Sequence, residues 1–167
     1  MDIPNTYTEL NETGCCAVPN IEEWNNQNLQ FNDRPFIRMY TRSFMYVPLN
    51  MGKIMTLLSE KAVLAGAAVT PEQVMILSRD LSPWKAEHLY AVSHPVEGAD
   101  NVTLKGEFLT KVFEGTYSEA KNWFKSLVNF AIQKGKIAKE VYFDYTTCPN
   151  CAKHYGKNYV IGLVHVL

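Results

Sequence analysis

One order of predicted elements, strand–helix–strand–strand, occurs twice along this chain and constrains the fold more than any single motif does. The predicted segments are, in order, strand 36–47, helix 51–65, strands 73–78 and 88–93, strand 106–114, a helix ending at Gly135, and strands 140–147 and 158–166. Two βαββ units usually pair into one antiparallel sheet with both helices on one face. We therefore expect an α+β fold whose opposite, concave face is free to hold a ligand.

Capping signals place the ends of the two predicted helices. Asn50 precedes the first helix as a plausible N-cap, and Gly66 follows its last apolar residue. Thr116 and Glu119 have the spacing of a capping box at the start of the second helix. The sequence thus predicts where each helix begins and where the first one ends.

The N-terminal residues 1–34 differ in composition from the rest of the chain. They are polar and rich in Asn, Glu and Asp, with Trp24 and Phe31 as possible anchors, and Arg34-Pro35 ends the segment. We interpret them as an arm that lies over a domain formed by residues 35–167. A chain of 167 residues fits this organisation, one domain with an ordered arm.

Charge and hydropathy exclude several function classes. The net charge is −1, and charges of both signs are scattered rather than gathered into a basic stripe, which argues against a nucleic-acid partner. The apolar runs are far shorter than a membrane span, and the start of the chain lacks the basic and apolar regions of a leader. These features predict a cytoplasmic protein with no nucleic-acid or membrane partner. We expect it to be a monomer or a homodimer.

Four cysteines form two close pairs, the adjacent Cys15-Cys16 and the spaced Cys148-x-x-Cys151. Two thiolates on one tight turn make half of a tetrahedral zinc site, and the adjacent pair would complete it, with His154 as a possible replacement for one thiol. Four sulfurs would fill the coordination shell, which indicates a structural zinc rather than a hydrolytic one. A redox or disulfide role, with Cys148 as the more exposed thiol, and four free cysteines remain alternatives.

Two carboxylates are candidates for catalysis. Glu114 ends a strand immediately before a helix, where it could face a ligand cleft or simply favour the helix N-terminus. Asp144 shares its strand face with Tyr142, opposite the face of Val141 and Phe143. A carboxylate flanked by aromatic rings in a cleft could act as a general acid or base, whereas a surface aspartate would not.

Several other side chains are candidates for binding a ligand. Trp84, in a Ser-Pro-Trp loop, is the strongest aromatic candidate, while Trp123 has helical spacing with Leu127 and also fits the core. Arg38 and Arg42 share one strand face and could attract an anionic ligand or lie on the surface. The predicted ligand-binding residues are Arg38, Trp84, Tyr90, Tyr117, Trp123 and Tyr142.

The repeated element order, together with two local segments, resembles the GyrI-like small-molecule-binding domains of the SOUL superfamily. Residues 111–117, KVFEGTY, are similar to that family's strand-His-x-Gly-Pro-Tyr-helix segment, with Glu114 and Thr116 as departures. Residues 143–145, FDY, are similar to its Glu-x-Tyr strand, which implies a ligand-binding role for Asp144. The resemblance implies a domain that binds a small molecule.

Longer motifs resemble an uncharacterised bacterial group often labelled "hydrolase". The shared segments are the Cys-Cys pair, Ser43–Asn50, Ser-Pro-Trp, Phe108–Tyr117 and Tyr145–Val160. No Gly-x-Ser-x-Gly elbow, phosphate loop or dinucleotide fingerprint occurs in the sequence.

Three functions remain open from the sequence. The first is a GyrI-like protein that binds an apolar, possibly cationic, small molecule through aromatic walls and a carboxylate. The second is a hydrolase of a small electrophilic compound in which Glu114 or Asp144 activates water. The third is an interaction module held together by zinc, with no small-molecule site.

Overall fold

The structure of the protein is a computed structural model that describes residues 3–167. These residues form two compact units. We call residues 3–32 with 105–167 the terminal unit, and residues 33–104 the central unit. Their secondary structure is mixed α/β, with antiparallel strands and few helices.

The helices and strands are, in chain order, α1 Ile21–Trp24, β1 Gln27–Phe44, β2 Val47–Pro48, α2 Met51–Leu64, β3 Ile76–Ser82, β4 Lys85–Ala91, β5 Asn101–Glu114, α3 Ala120–Gln133, β6 Ala138–Tyr145, α4 Pro149–Tyr155 and β7 Tyr159–Val166. The main strands and both long helices follow the predicted order. No helix within residues 3–167 has the length and apolar character needed to cross a membrane.

In the central unit, the antiparallel strands run in the order β2-β1-β4-β3. Helix α2 buries its apolar stripe, which includes Ile54 and Leu58, against one face of these strands, where Ile37 lies. The next side chain along β1, Arg38, must point to the opposite face because side chains alternate along a strand. Burial of this stripe stabilises the folded central unit through the hydrophobic effect.

In the terminal unit, the antiparallel strands run in the order β6-β7-β5, and α3 packs on one face of them. The buried face of α3 carries Trp123, Leu127 and Ala131, at the three- and four-residue spacing that makes one helical stripe. These side chains pack on Val141 and Phe143 of β6. The alternate residues of β6, including Asp144, therefore lie on the other face of the sheet.

Several local predictions are corrected by the structure. Strand β1 begins at Gln27, not at Phe36, and runs through Arg34-Pro35. Ser82-Pro83-Trp84 is not a long linker, because β3 extends to Ser82 and β4 begins at Lys85, which leaves a tight turn. Hydrophobic alternation underestimates strand length here because the strand ends carry polar residues.

The predicted helix caps are also corrected. The side chain of Asn50 makes no cap hydrogen bond; its Oδ1 accepts one from the backbone N–H of Arg42, 3.0 Å away, in the neighbouring strand. The side chain of Thr116 bonds to Ser118 at 2.7 Å, and a 3₁₀ turn at Tyr117–Glu119 precedes α3, so no capping box forms. Gly66 follows α2 with φ of +65°, in the left-handed conformation expected of a terminating glycine.

Candidate metal centre and the covered sheet face

The four cysteines come together in the terminal unit. Cys15 and Cys16 lie in the segment before α1, Cys148 immediately precedes α4, and Cys151 lies in its first turn. Pro149 at the helix start needs no N–H partner, and this allows a short helix where the sequence predicted a loop. All four sulfur atoms lie within 4.8 Å of one another.

The sulfur–sulfur distances distinguish a metal site from a disulfide. Cys15 Sγ is 3.9 Å from Cys148 Sγ and 3.7 Å from Cys16 Sγ, and all four residues are free cysteines. A disulfide requires a separation of about 2.0 Å. A tetrahedral ion with metal–sulfur bonds of about 2.3 Å requires edges of about 3.8 Å. The cluster therefore has the spacing of a four-thiolate metal centre.

Thr13 organises the cluster. Its Oγ1 accepts hydrogen bonds from the backbone N–H groups of Cys15 and Cys16, each at 3.2 Å, and lies 3.2 Å from Cys151 Sγ. This side-chain hydrogen bond lowers the pKa of Cys151 to about 6, whereas burial raises the pKa of Cys16 to about 12. Cys151 is thus the more readily ionised of these two thiols.

The C-terminal end of α4 binds the same segment through other side chains. Tyr155 Oη donates a hydrogen bond to the carbonyl of Cys16 at 2.8 Å and accepts one from the N–H of Glu12 at 3.2 Å. His154 Nε2 lies 3.1 Å from a carboxylate oxygen of Glu12. The four-sulfur cluster does not include His154.

The face of the terminal sheet opposite α3 carries Asp144. The register places Asp144 opposite Ile161, which in turn lies opposite Val112. Directly opposed residues of an antiparallel pair point to the same side. Buried members of this face are Phe108, Thr110, Tyr142, Asp144, Ile161 and Leu163. Asp144 itself is 3% exposed.

The N-terminal segment lies against this face. Thr110 Oγ1 donates a hydrogen bond to the carbonyl of Trp24, and the ring of Phe31 contacts that of Phe108 with centroids 4.5 Å apart. Trp24 and Phe31, the predicted anchors, are both fully buried. The expected open face is therefore covered by the part of the segment that contains Trp24, whereas Phe31 belongs to β1, which pairs with β5 in the sheet.

Tyr7 is a residue of this face that the sequence interpretation missed. Its hydroxyl donates to the carbonyl of Thr146 at 3.4 Å. Burial raises the pKa of Tyr7 well above its usual value, and the charges of Asp144 and Cys16 add to the rise. Tyr7 thus lies close to both the carboxylate and the thiol cluster. No motif or periodicity in the polar N-terminal sequence could have indicated this position.

Glu114, the other predicted catalytic carboxylate, lies at the exposed end of β5. It forms an ion pair with Lys157, with 3.1 Å between Nζ and Oε2. Glu114 of β5 pairs with Tyr159 of β7, whereas Asp144 of β6 pairs with Ile161, two residues further along β7. Strand β7 therefore lies between the strands that carry the two carboxylates. Standard strand geometry then separates the Cα atoms of Glu114 and Asp144 by about 12 Å, so the fold does not make them adjacent.

The other predicted side chains of the terminal unit occupy different environments. Tyr142 is buried on the face of Asp144. Trp123 lies in the core beneath α3 and stacks on Phe113, with centroids 5.6 Å apart, on the opposite side of the sheet. Tyr117 is 46% exposed. Of these three, Tyr142 alone shares a face with Asp144.

Arg38, Trp84 and Tyr90 belong to the central unit. Arg38 forms ion pairs with Glu87 at 3.3 Å and Asp100 at 2.9 Å, and the hydrogen bond to Asp100 raises the pKa of the guanidinium. Trp84 is 54% exposed, and Tyr90 packs against the core beneath α2. The charge of Arg38 is thus balanced within its own unit.

Fold and thiol cluster together define a class: a mixed α/β protein with antiparallel strands, few helices and a four-cysteine cluster that could hold a metal ion. The family model described as "Bacterial hydrolase" matches residues 6–166. The chain belongs to this bacterial hydrolase family. No curated protein matches the chain significantly.

Solved structures share the fold at low sequence identity. An uncharacterised conserved protein from Listeria innocua has a TM-score of 0.60 at 13% identity, over 84% of this chain and 91% of its own. A hydrolase from Listeria innocua has a TM-score of 0.59 at 12% identity, over 86% and 93%. SAV2435 bound to tetraphenylphosphonium has a TM-score of 0.52 at 10% identity, over 84% and 93%.

Proposed function

We propose that this protein binds a small apolar cation at the sheet face of Asp144. The observation that carries the proposal is a carboxylate only 3% exposed, on a face that also contains the buried rings of Tyr142 and Phe108. A buried carboxylate attracts a cation more strongly than one in water, because its surroundings screen the charge less. Aromatic rings add cation–π attraction. The binding of tetraphenylphosphonium by SAV2435, which shares the fold, supports the same ligand class.

We also propose that the four cysteines hold a structural zinc ion. The tetrahedral spacing of the sulfur atoms supports a metal, and a four-thiolate donor set favours zinc or iron among the common metals. Four protein ligands leave no position for a reactive water, so a zinc ion here would stabilise the fold and take no part in hydrolysis.

A hydrolase is the second candidate, and the family description favours it. In this alternative Asp144 acts as a general base that activates water toward a small electrophilic compound. Glu114 then acts separately, because the two carboxylates are not adjacent. A binding protein and a hydrolase of this kind would use the same sheet face.

We also propose that the chain is built from a repeated unit with an N-terminal arm. The element order supports two copies of one βαββ plan, the first with β1, α2, β3 and β4 and the second with β5, α3, β6 and β7. Residues 1–34, of which the last eight begin β1, then form an arm on a domain of residues 35–167. The chain acts as a monomer or homodimer in the cytoplasm.

Calorimetric titration with tetraphenylphosphonium tests the function, on protein loaded with zinc and on protein freed of it. We expect binding by the wild type in at least one form, weakened at least about tenfold in Asp144→Asn. Glu119→Gln, which changes an exposed carboxylate, provides the matched control and should bind as the wild type does. Binding by neither form would rule out the proposed ligand class.

Turnover separates the two candidates. A hydrolase would lose turnover of an electrophilic substrate in Asp144→Asn or Glu114→Gln and still bind that compound. A binding protein would show no turnover in any variant.

A further inference from the structure

We infer that the N-terminal segment is a strap over the Asp144 face and that the thiol-bound metal holds this strap closed. The inference rests on the proposed function, since the strap covers the face proposed to bind an apolar cation. It assigns a regulatory role to the metal centre: a change in metal occupancy changes access to the ligand site.

The positions of the cysteines along the chain are the first support. Cys15 and Cys16 lie between Tyr7, whose hydroxyl donates to the carbonyl of Thr146 just after β6, and Trp24, whose carbonyl accepts the hydrogen bond of Thr110. The contacts of the segment with the sheet face therefore lie on both sides of the cysteine pair. Metal binding at that pair would hold both contacts in place.

The other two cysteines are the second support. Strand β6, which carries Asp144, ends at Tyr145, and Cys148 follows three residues later. A metal shared by Cys148 and Cys151 with the N-terminal pair would thus fix the strap to the end of the strand that bears the carboxylate. The backbone N–H of Cys148 already donates to Cys16 Sγ at 3.4 Å.

The strap has its own internal structure, so it can move as a unit. Main-chain hydrogen bonds join Thr8 to Val18 and Val18 to Leu10, each at 2.8 Å, and Tyr7 forms a β-bridge with Pro19. These bonds close a loop that presents Cys15 and Cys16 between its two sides. Release of the metal removes one attachment of this loop without breaking any of its internal bonds.

The energetic consequence is a reduced affinity in the metal-loaded protein. A ligand that binds only the open form has an apparent affinity lowered by the fraction of open molecules. Metal ligation by both cysteine pairs favours the closed form. Removal of the metal should therefore strengthen the binding of an apolar cation.

Two measurements on the full chain test the strap. Zinc is removed with a chelator in the presence of reductant, and tetraphenylphosphonium is titrated into both forms. We expect its Kd to fall at least about tenfold on zinc removal and to return on zinc addition. Hydrogen–deuterium exchange of residues 5–25 should accelerate at least about tenfold, while that of α3 stays unchanged.

A variant that keeps all four cysteines tests the strap without removal of the metal, which by itself can unfold a protein. Tyr7→Ala removes a ring of the strap and should bind tetraphenylphosphonium more tightly than the wild type at unchanged zinc content. Leu10→Ala, which changes a side chain 54% exposed in the same segment, is the control and should match the wild type.

The possible outcomes distinguish a failure of the strap proposal from a failure of the proposed ligand site. Equal affinity in the zinc-loaded and zinc-free forms, with binding still dependent on Asp144, would overturn the strap and keep the proposed function. Absence of binding in both forms would overturn the proposed function, and the exchange of residues 5–25 would then decide the strap alone. Unchanged exchange on zinc removal would refute it.

Discussion

The sulfur atoms of Cys15 and Cys148 lie 3.9 Å apart although 133 residues separate them in the chain. This distance matches the edge of a tetrahedral thiolate site, about 3.8 Å, and is nearly twice a disulfide bond. The four-cysteine cluster therefore joins the N-terminal segment to the part of the chain that follows β6.

The first prediction concerns metal content. We expect about one zinc ion per chain in protein purified without chelator, measured by mass spectrometry of the metal. Cys151→Ser should lose the ion and lower the free energy of unfolding by at least about 2 kcal/mol, because three thiolates bind more weakly than four. His154→Ala should keep the ion, since His154 bonds to Glu12. Full zinc content in Cys151→Ser would contradict the four-thiolate site.

The second prediction concerns the anchor of the N-terminal segment. Trp24 is fully buried, and Trp24→Ala should lower the free energy of unfolding by about 3–5 kcal/mol in urea denaturation. Glu22→Ala, at an exposed position of the same short helix, should change it by less than about 0.5 kcal/mol. Similar stabilities of the two variants would show that the segment contributes little to the folded state.

The third prediction concerns close packing around β7. A Cβ atom at Gly162 would lie 2.6 Å from Leu127 Cδ1 and 2.9 Å from Phe113 Cε2. Gly162→Ala should therefore destabilise the protein by about 1–3 kcal/mol through overpacking. Gly52→Ala is the matched control: nothing lies within 4 Å of the added atom in α2, and stability should rise by up to about 1 kcal/mol. Thermal unfolding of both variants measures the difference.

The fourth prediction concerns acid stability. His88 is buried between Ser78 Oγ, 2.7 Å from Nδ1, and Thr41 Oγ1, 2.9 Å from Nε2, and burial lowers the pKa of His88 to about 4. Between the ordinary histidine pKa of about 6.5 and pH 4, the unfolded chain takes up a proton that the folded chain does not. The free energy of unfolding should therefore fall as pH drops, by at most about 3 kcal/mol.

Denaturant unfolding at pH 7 and pH 4.5 checks this contribution. His88→Gln should show a smaller loss of stability than the wild type between the two pH values, because the titrating group is gone. His94→Gln, at an exposed position of the same unit, is the control and should retain the wild-type loss. An unchanged pH dependence in His88→Gln would show that other groups account for the acid sensitivity.

Local periodicity was sufficient to predict much of the secondary structure. The apolar stripe of α3, the alternation of β6 and the left-handed glycine after α2 each follow from contacts within a few residues, which the sequence displays directly. The cysteine spacing likewise indicated a metal site from thiolate chemistry alone. The family followed from long motifs that the family model then matched.

The sequence by itself determined the order of elements, the buried stripe of each long helix and the thiols that could bind a metal. Only the tertiary structure decided what lies on the Asp144 face, where Trp24 is buried in place of the expected opening. It also decided that Glu114 and Asp144 stand on strands separated by β7. The physical reason is that these relations depend on packing and strand register between distant segments, which local periodicity does not encode.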